Sequence, residues 1–411
     1  MYPEGTSPRP SSLARPVVAG LVTALVGFTS SFAVVLAGLQ AVGASPTQAA
    51  SGLLALTIAF SLCTIALAWT TRLPITTAWS TPGAALLAAA GGLALGWDEA
   101  VGAFLLCGLL IALTGAVPAL GGLLASIPVP LAQAMLAGVL FELCLAPITA
   151  LATVPWQAGP VVLVWLATMR WLPRWSVPAA MLATLAVIGW QVGSAGTPWP
   201  TEVLPRLEFT APRFTVEAFA GITLPLFVVT MASQNVPGVA VLAGFGYRIP
   251  WSASMLATGA GSVAASLFGG HAINLAAISA ALAAGEEAGE DRDRRWVAAV
   301  SAGCFYLVLG LSSAAVAALA AAAPAGLLAA AAGLALLGTL GNAASSALAD
   351  PASRLDALTA FLVTASGIGF AGVGAAFWGL VGGLAVRHLV EAPHRRAGAK
   401  GRTGAKGRAG T

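Results

Sequence analysis

Apolar runs of membrane-spanning length recur from residue 16 to residue 390, separated by short polar breaks. A run of about 20 apolar residues crosses the hydrocarbon core of a bilayer as a helix. Inside that core no water bonds the backbone, so every N–H and C=O needs a partner within the protein, and open sheets and lipid-exposed loops are excluded. Composition agrees: 8% of residues are charged and the mean hydropathy is +0.89, whereas soluble domains carry roughly a quarter charged residues. The fold class is therefore all-α, polytopic and membrane-embedded. The basic pI of about 9.2 does not imply nucleic acid, because the positive charge lies in short loops and the tail, where it sets topology.

The spacing predicts spans over about 16–39, 47–69, 99–117, 129–146, 159–172 and 177–193, then 216–236, 251–267, 296–317, 323–347, 355–370 and 372–390. A broken segment sits third in each half, over about 74–91 and 270–284. We number these segments 1 to 14 in chain order. Seven per half forces the halves into opposite membrane orientations, an inverted repeat of about fourteen transmembrane segments. The expected organisation is a cytoplasmic N-terminal tail over 1–14, a first repeat over 15–193 and a polar linker over 194–213. A second repeat over 214–391 and a disordered basic C-terminal tail over 392–411 follow. The polar, proline-rich start followed by a full-length apolar run reads as a first span rather than a cleavable signal.

The two breaks share one grammar. In Leu73 to Ala90, LPITTAWSTPGAALLAAA, a β-branched piece leads to Ser80, Thr81, Pro82 and Gly83 and then to an alanine run. A Ser or Thr before Pro is a helix-start signal, since the hydroxyl caps free N–H groups and proline fits the first turn. In Ser266 to Ala276, SLFGGHAINLA, Gly269 and Gly270 break the helix before His271, Ala272 and Asn274. Each break is expected to be an extended piece that turns into a half-helix at membrane depth, with the helix starts near Thr81–Gly83 and Gly270–Ala272, so that His271 stands at the second start. Two helix starts facing each other there would form a positive site with free N–H groups, suited to a carboxylate or another anion.

Other polar residues fall inside the spans. Glu142 lies well within segment 5, where a lone carboxylate is protonated, paired or facing water; a proton-carrying or gating acid and a hydrogen-bonded structural one both stay open. His271 is the one histidine well inside a predicted membrane segment, His388 lying at the terminal end of segment 14; it is open either as a neutral donor to substrate or as a proton carrier. Segment 8 ends in Ser233, Gln234, Asn235, Val236 and Pro237, and two adjacent amides at membrane depth must bond something, substrate or another helix. Phe28, Ser30 and Ser31 occupy a comparable place in segment 1, where serines often bond only the preceding turn. Phe28, Phe32, Trp79, Phe227 and Phe268 could wall a ring-shaped site or simply pack. The four cysteines fall in apolar segments without metal-ligand spacing. No metal, cofactor, nucleotide loop or catalytic triad is expected, so the chain does not read as an enzyme.

At ITTAWSTPGAALL (Ile75 to Leu87), ASQNVPGVAVLAGFGYRIP (Ala232 to Pro250) and FGGHAINLAAISAAL (Phe268 to Leu282), the chain resembles the BenE-type benzoate:proton symporters. The resemblance runs over roughly residues 13 to 391. It implies the seven-plus-seven fold of nucleobase and sulfate transporters, with segments 1–4 and 8–11 as a core, 5–7 and 12–14 as a gate, and substrate where segments 3 and 10 cross. It implies an inner-membrane secondary transporter that imports benzoate or a similar aromatic carboxylate with protons, by alternating access. Core moves against gate in that scheme, by an elevator motion or by rocking. The resemblance puts Gln234, Asn235, His271 and Asn274 near substrate; with the residue-level reading the candidate site is Ser80, Thr81, Gly83, Gln234, Asn235, Gly269, Gly270, His271, Ala272 and Asn274, with Ser30 and Phe28, and the candidates for proton coupling are Glu142 and His271. The related nucleobase carriers use acids in segments 8 and 10, where this chain has amides and a histidine; that departure fits an anionic substrate. A carrier for another anion or a nucleobase is the alternative, and a channel a more distant one. Expected partners are the aromatic acid, protons and membrane lipid, with a homodimer left open.

Orientation is testable. With the N-terminus in the cytoplasm, alternation puts 17 of the 19 Lys and Arg residues inside and only Arg206 and Arg213 outside. Both termini are thus expected to be cytoplasmic. A reporter that is active only in the periplasm, fused after Thr411, should stay silent; activity there would overturn the fourteen-segment alternation.

Overall fold

The computed structural model describes residues 13–93, 95–117, 128–194, 204–324, 326–370 and 373–391. The N-terminal tail up to residue 12, part of the linker (195–203) and the basic C-terminal tail lie outside the described residues. Among the described residues, seven helices are long and apolar enough to cross a membrane, or eight if the bent pair Arg292–Gly310 and Ser313–Ala321 counts as one span. They carry segments 1, 2, 4, 5, 7, 8 and 12, and the bent pair carries segment 11. Shorter helices, Pro155–Trp171, Trp251–Ser266, Arg354–Ala365 and Ala375–Val386, carry segments 6, 9, 13 and 14. The protein is a polytopic helical membrane protein.

The packing is two-fold. Segment 4 lies on segment 9 and segment 2 on segment 11; segment 1 touches the short helix of segment 10, and segment 8 touches that of segment 3. Segments 6 and 7 pair, as do 13 and 14, and segment 5 packs along segment 12. Exchanging each segment for the one seven places away maps this pattern onto itself, as a seven-plus-seven fold requires.

At the centre, segments 3 and 10 are not continuous helices. Strand β1 (Thr77–Trp79) pairs antiparallel with β2 (Ile273–Leu275), opposing Thr77 to Leu275, Ala78 to Asn274 and Trp79 to Ile273. Helix Thr81–Ala89 follows β1 almost at once, whereas Ile278–Ala284 starts only three residues after β2. The second start differs from the expectation that placed it at Gly270–Ala272. Pairing with β1 explains the shift: Ala272 O accepts from Ser80 N at 2.9 Å and Ala276 N donates to Thr76 O at 2.9 Å, so the chain stays extended past Ala276. The glycines instead end segment 9. Gly269 has φ +87°, a conformation that favours glycine, and a Cβ there would meet the Trp97 ring at 2.7 Å.

Close helix approach elsewhere rests on small residues, as it does in lipid, where apolar helices gain little from mutual burial alone. Gly259 of segment 9 is the clearest case: a Cβ would meet Ala112 Cα and Cβ of segment 4 at 2.6 Å. Gly108 and Gly115 of segment 4 face segment 9 in the same way, at Ser262 and Met255. Gly259→Val should therefore lower stability by about 1–3 kcal/mol through overpacking. Gly338→Val, at an exposed position with open space around it, should be close to neutral. Thermal unfolding in detergent decides; equal effects would mean that the segment 4–9 contact is not tight.

Candidate functional site

The crossing strands need partners for backbone that no helix satisfies. Hydroxyls supply them in matching places. Thr64 Oγ1 of segment 2 accepts from Thr77 N at 2.9 Å, and Ser262 Oγ of segment 9 accepts from Ile273 N at 2.8 Å. These are the first residues of the two strands, held by equivalent helices. Asn235 of segment 8 then accepts from Leu275 N through Oδ1 at 2.8 Å. In the amide orientation that satisfies both ends, Asn274 Oδ1 accepts from Ser80 N at 3.1 Å and Nδ2 donates to Leu275 O at 2.9 Å. Asn235 and Asn274 therefore hold the ribbon itself.

Ser80 is the hub on the other side. Its Oγ caps Gly83 N at 3.1 Å and accepts from Thr230 Oγ1 of segment 8 at 2.8 Å. Gly83 is needed for close approach, since a Cβ would meet Leu226 and Ser80. Trp79 Nε1 donates to Ser31 Oγ at 2.8 Å, which fastens segment 3 to the break between Ala14–Thr29 and Phe32–Ala41. Ser30 and Ser31 both bond back to Gly27 O. Phe28 packs on Trp79 with centroids 5.5 Å apart and on Phe32 at 5.7 Å; Phe60 meets Trp79 edge-on at 5.3 Å. Phe28, Ser31, Trp79, Ser80, Asn235 and Asn274 thus share one buried region, with Thr81 half-buried at the helix start.

Two groups there are unspent. The Gln234 side chain is half-buried and makes no hydrogen bond among the described residues, and Ser233 Oγ is buried without a partner. The helix Ile278–Ala284 starts without a side-chain cap.

His271 stands apart from the helix start expected for it. It lies just before β2, fully buried, with its ring against Phe104 of segment 4 at 6.4 Å between centroids and both nitrogens without a partner. Gly269, Gly270 and Ala272 surround it at that end of the ribbon. Glu142 is also away from the crossing. It is exposed and lines a small cleft with Leu86 and Ala90 of segment 3, Gly221 of segment 8, Thr364 of segment 13 and Ala375 of segment 14.

Sequence reasoning missed three features. Thr230 gave no signal, because a threonine in an apolar helix usually bonds its own preceding turn. The bond from Trp79 to Ser31 was hidden in an aromatic read as a wall. Asp356, at the start of segment 13, is fully buried and pairs with Arg387 at 3.1 Å. That pair was findable: the start of segment 13 and the end of segment 14 lie on the same membrane side. Among the described residues, no group of three or more His, Cys, Asp or Glu side chains could hold a metal ion.

Comparison with known proteins adds the family. A family model described as benzoate membrane transport protein (BenE) matches residues 11–389. The inner membrane protein YdcO of Escherichia coli is 40% identical over 368 residues, 89% of this chain and 93% of that protein. The benzoate membrane transport protein of Acinetobacter baylyi is 31% identical over 377 residues, covering 92% and 95%. Among solved structures, the transmembrane domain of a cyanobacterial bicarbonate transporter, BicA, aligns with TM-score 0.59 at 15% identity over 90% of this chain and 97% of that one. SLC26A9 aligns with TM-score 0.59 at 16% identity, over 91% of this chain and 65% of that one. The structural likeness is one of fold.

The Asn235 bond can be tested without any ligand. Asn235→Leu would leave the Leu275 N–H buried and unbonded, so stability should fall by about 1–3 kcal/mol. An unchanged unfolding midpoint would mean that β2 is not held by segment 8.

Proposed function

The chain belongs to the benzoate membrane transport protein family, and on that premise we propose that it carries benzoate or a similar aromatic carboxylate across the cytoplasmic (inner) membrane together with protons. The observation that carries this reading is the crossing of β1 and β2, each followed by a helix that begins at membrane depth. The two starts lie at opposite ends of the antiparallel ribbon, one beyond Trp79 and the other beyond Leu275. Both present the positive end of a helix dipole toward the middle of the protein. Next to them lie the unpaired Gln234 amide and the rings of Phe28 and Trp79. An anion with an apolar ring meets both requirements there: donors for its carboxylate and aromatic edges and faces for its ring. The nearest donors are the backbone at Thr81 and Ile278 and the Gln234 side chain. The placement at Ile278 replaces the one at Gly270–Ala272.

Segments 1–4 and 8–11 are the moving core in this reading, and segments 5–7 and 12–14 the gate. Glu142 lines a cleft whose walls come from both sets, from segments 3 and 8 on one side and 5, 13 and 14 on the other. A carboxylate at such a boundary can hold a proton in one arrangement and release it in another, which makes it the coupling acid. His271 serves as a buried neutral group that shapes the end of the ribbon.

Proteoliposomes with an acidic exterior should accumulate labelled benzoate. Unlabelled benzoate should compete, and benzamide should compete at least about tenfold more weakly, since the charge-assisted hydrogen bonds are lost. Glu142→Gln should keep exchange of labelled for unlabelled benzoate at equal pH and lose the accumulation driven by the gradient. Equal competition by the amide would remove the anion site, and full accumulation by the variant would move the proton away from Glu142.

A further inference from the structure

Segment 8 is not an ordinary helix where it passes the site. Over Met231–Asn235 it widens into a π turn, in which Val236 N donates to Met231 O, five residues back. In an α-helix that N–H would serve Ala232 O. The next residue is Pro237, which has no N–H to offer. The Ala232 carbonyl is thereby deprived of both donors that a helix could give it, at membrane depth, where an unbonded carbonyl is costly. The same arrangement occurs twelve residues earlier, where the π turn Phe219–Thr223 is followed by Leu224 and Pro225.

The missing donor comes from another segment. Gln133 Nε2 of segment 5 donates to Ala232 O at 3.4 Å. Gln133 is half-buried, between Ala132 and Ala134, which are buried. The bonds Trp79–Ser31, Thr230–Ser80, Leu275–Asn235 and Tyr306–Thr23 stay within segments 1–4 and 8–11. Cys144–Gly333 and Arg387–Asp356 stay within segments 5–7 and 12–14. The Gln133 bond crosses from one set to the other, and it lands one residue before Ser233 and two before Gln234.

We propose that Gln133 is a positioning residue of the substrate site: by bonding the carbonyl that the π turn and Pro237 leave free, it fixes the turn that presents Gln234 and Asn235. This deepens the transport reading and rests on it. The mechanism is indirect, since Gln133 acts on the substrate through the shape of segment 8. It also gives segment 5 a polar grip on the opposite set, which has to be released or exchanged whenever the two sets slide.

The logic gives a double-variant test in the full-length protein. Gln133→Leu should weaken benzoate binding by about five- to twentyfold in calorimetry and lower the unfolding midpoint measured without benzoate. Pro237→Ala returns an N–H at residue 237 or lets the turn relax to an α-helical one, and either change gives Ala232 O a donor within its own helix. In the Pro237→Ala background, Gln133→Leu should therefore change binding less than twofold and leave the midpoint nearly unmoved. Equal effects of Gln133→Leu with and without Pro237 would overturn the proposal. So would coupling in the midpoint alone with benzoate affinity unchanged, which would make the contact merely structural. If wild-type protein bound no aromatic carboxylate, the transport reading would fall, and the midpoint cycle would still decide whether Gln133 satisfies Ala232.

Discussion

A pair of short strands in the middle of a membrane protein is the constraint from which the rest of the architecture follows. Strand residues make no hydrogen bonds within their own segment, and lipid offers none. Each end of the ribbon must therefore be met by a side chain from a surrounding helix. Thr64, Ser262 and Asn235 do this, and Asn274 of β2 itself adds a bond to Ser80 N. Their positions fix which helices can lie around the crossing: segment 2 at the open edge of β1, segments 8 and 9 at the open edge of β2. The two-fold packing of the whole chain is continuous with this local requirement, because Thr64 and Ser262 perform one task at equivalent places in the two halves.

The symmetry stops where the helices begin. Ser80 caps the helix after β1 and is itself held by Thr230. After β2, Ala276 and Ala277 intervene and the helix starts without a side-chain cap. Alanine carries no group to spend on the turn. A side-chain cap is thus present at one helix start, where it takes the Gly83 N–H, and absent at the other.

Much of this was legible in the chain. Long apolar runs dictated helices, and the β-branched Ile75–Thr77 followed by Ser80–Gly83 marked a strand and a capped helix start. The order of glycines, amides and alanines marked the second break. What could not be read was how far β2 would stay extended, because that depends on bonds to Thr76 and Ser80, residues about 190 positions away. His271 was misplaced for that reason: its neighbours in sequence suggested a helix start, while its neighbours in space are Phe104 and the buried end of the ribbon. Asp356 shows the same limit from the other side. Its partner, Arg387, lies 31 residues on, and only the antiparallel return of segment 14 brings the two together.

The boundary between the two sets of segments can be weighed in these terms. Apolar side chains such as Leu86 and Val139 lie along it, and dispersion contacts between such surfaces are weak one by one and readily exchanged for equivalent ones as the surfaces slide. A hydrogen bond is different, because a buried carbonyl that loses its donor carries the full cost until another donor arrives. A boundary built of exchangeable contacts with a polar grip at Ala232 would favour discrete arrangements over a continuous glide. The carbonyl that imposes this choice is created by a proline two residues beyond the turn that carries the site's amides. On the proposed transport reading, the feature that would shape the site and the feature that would restrain the motion are one local departure from helical bonding.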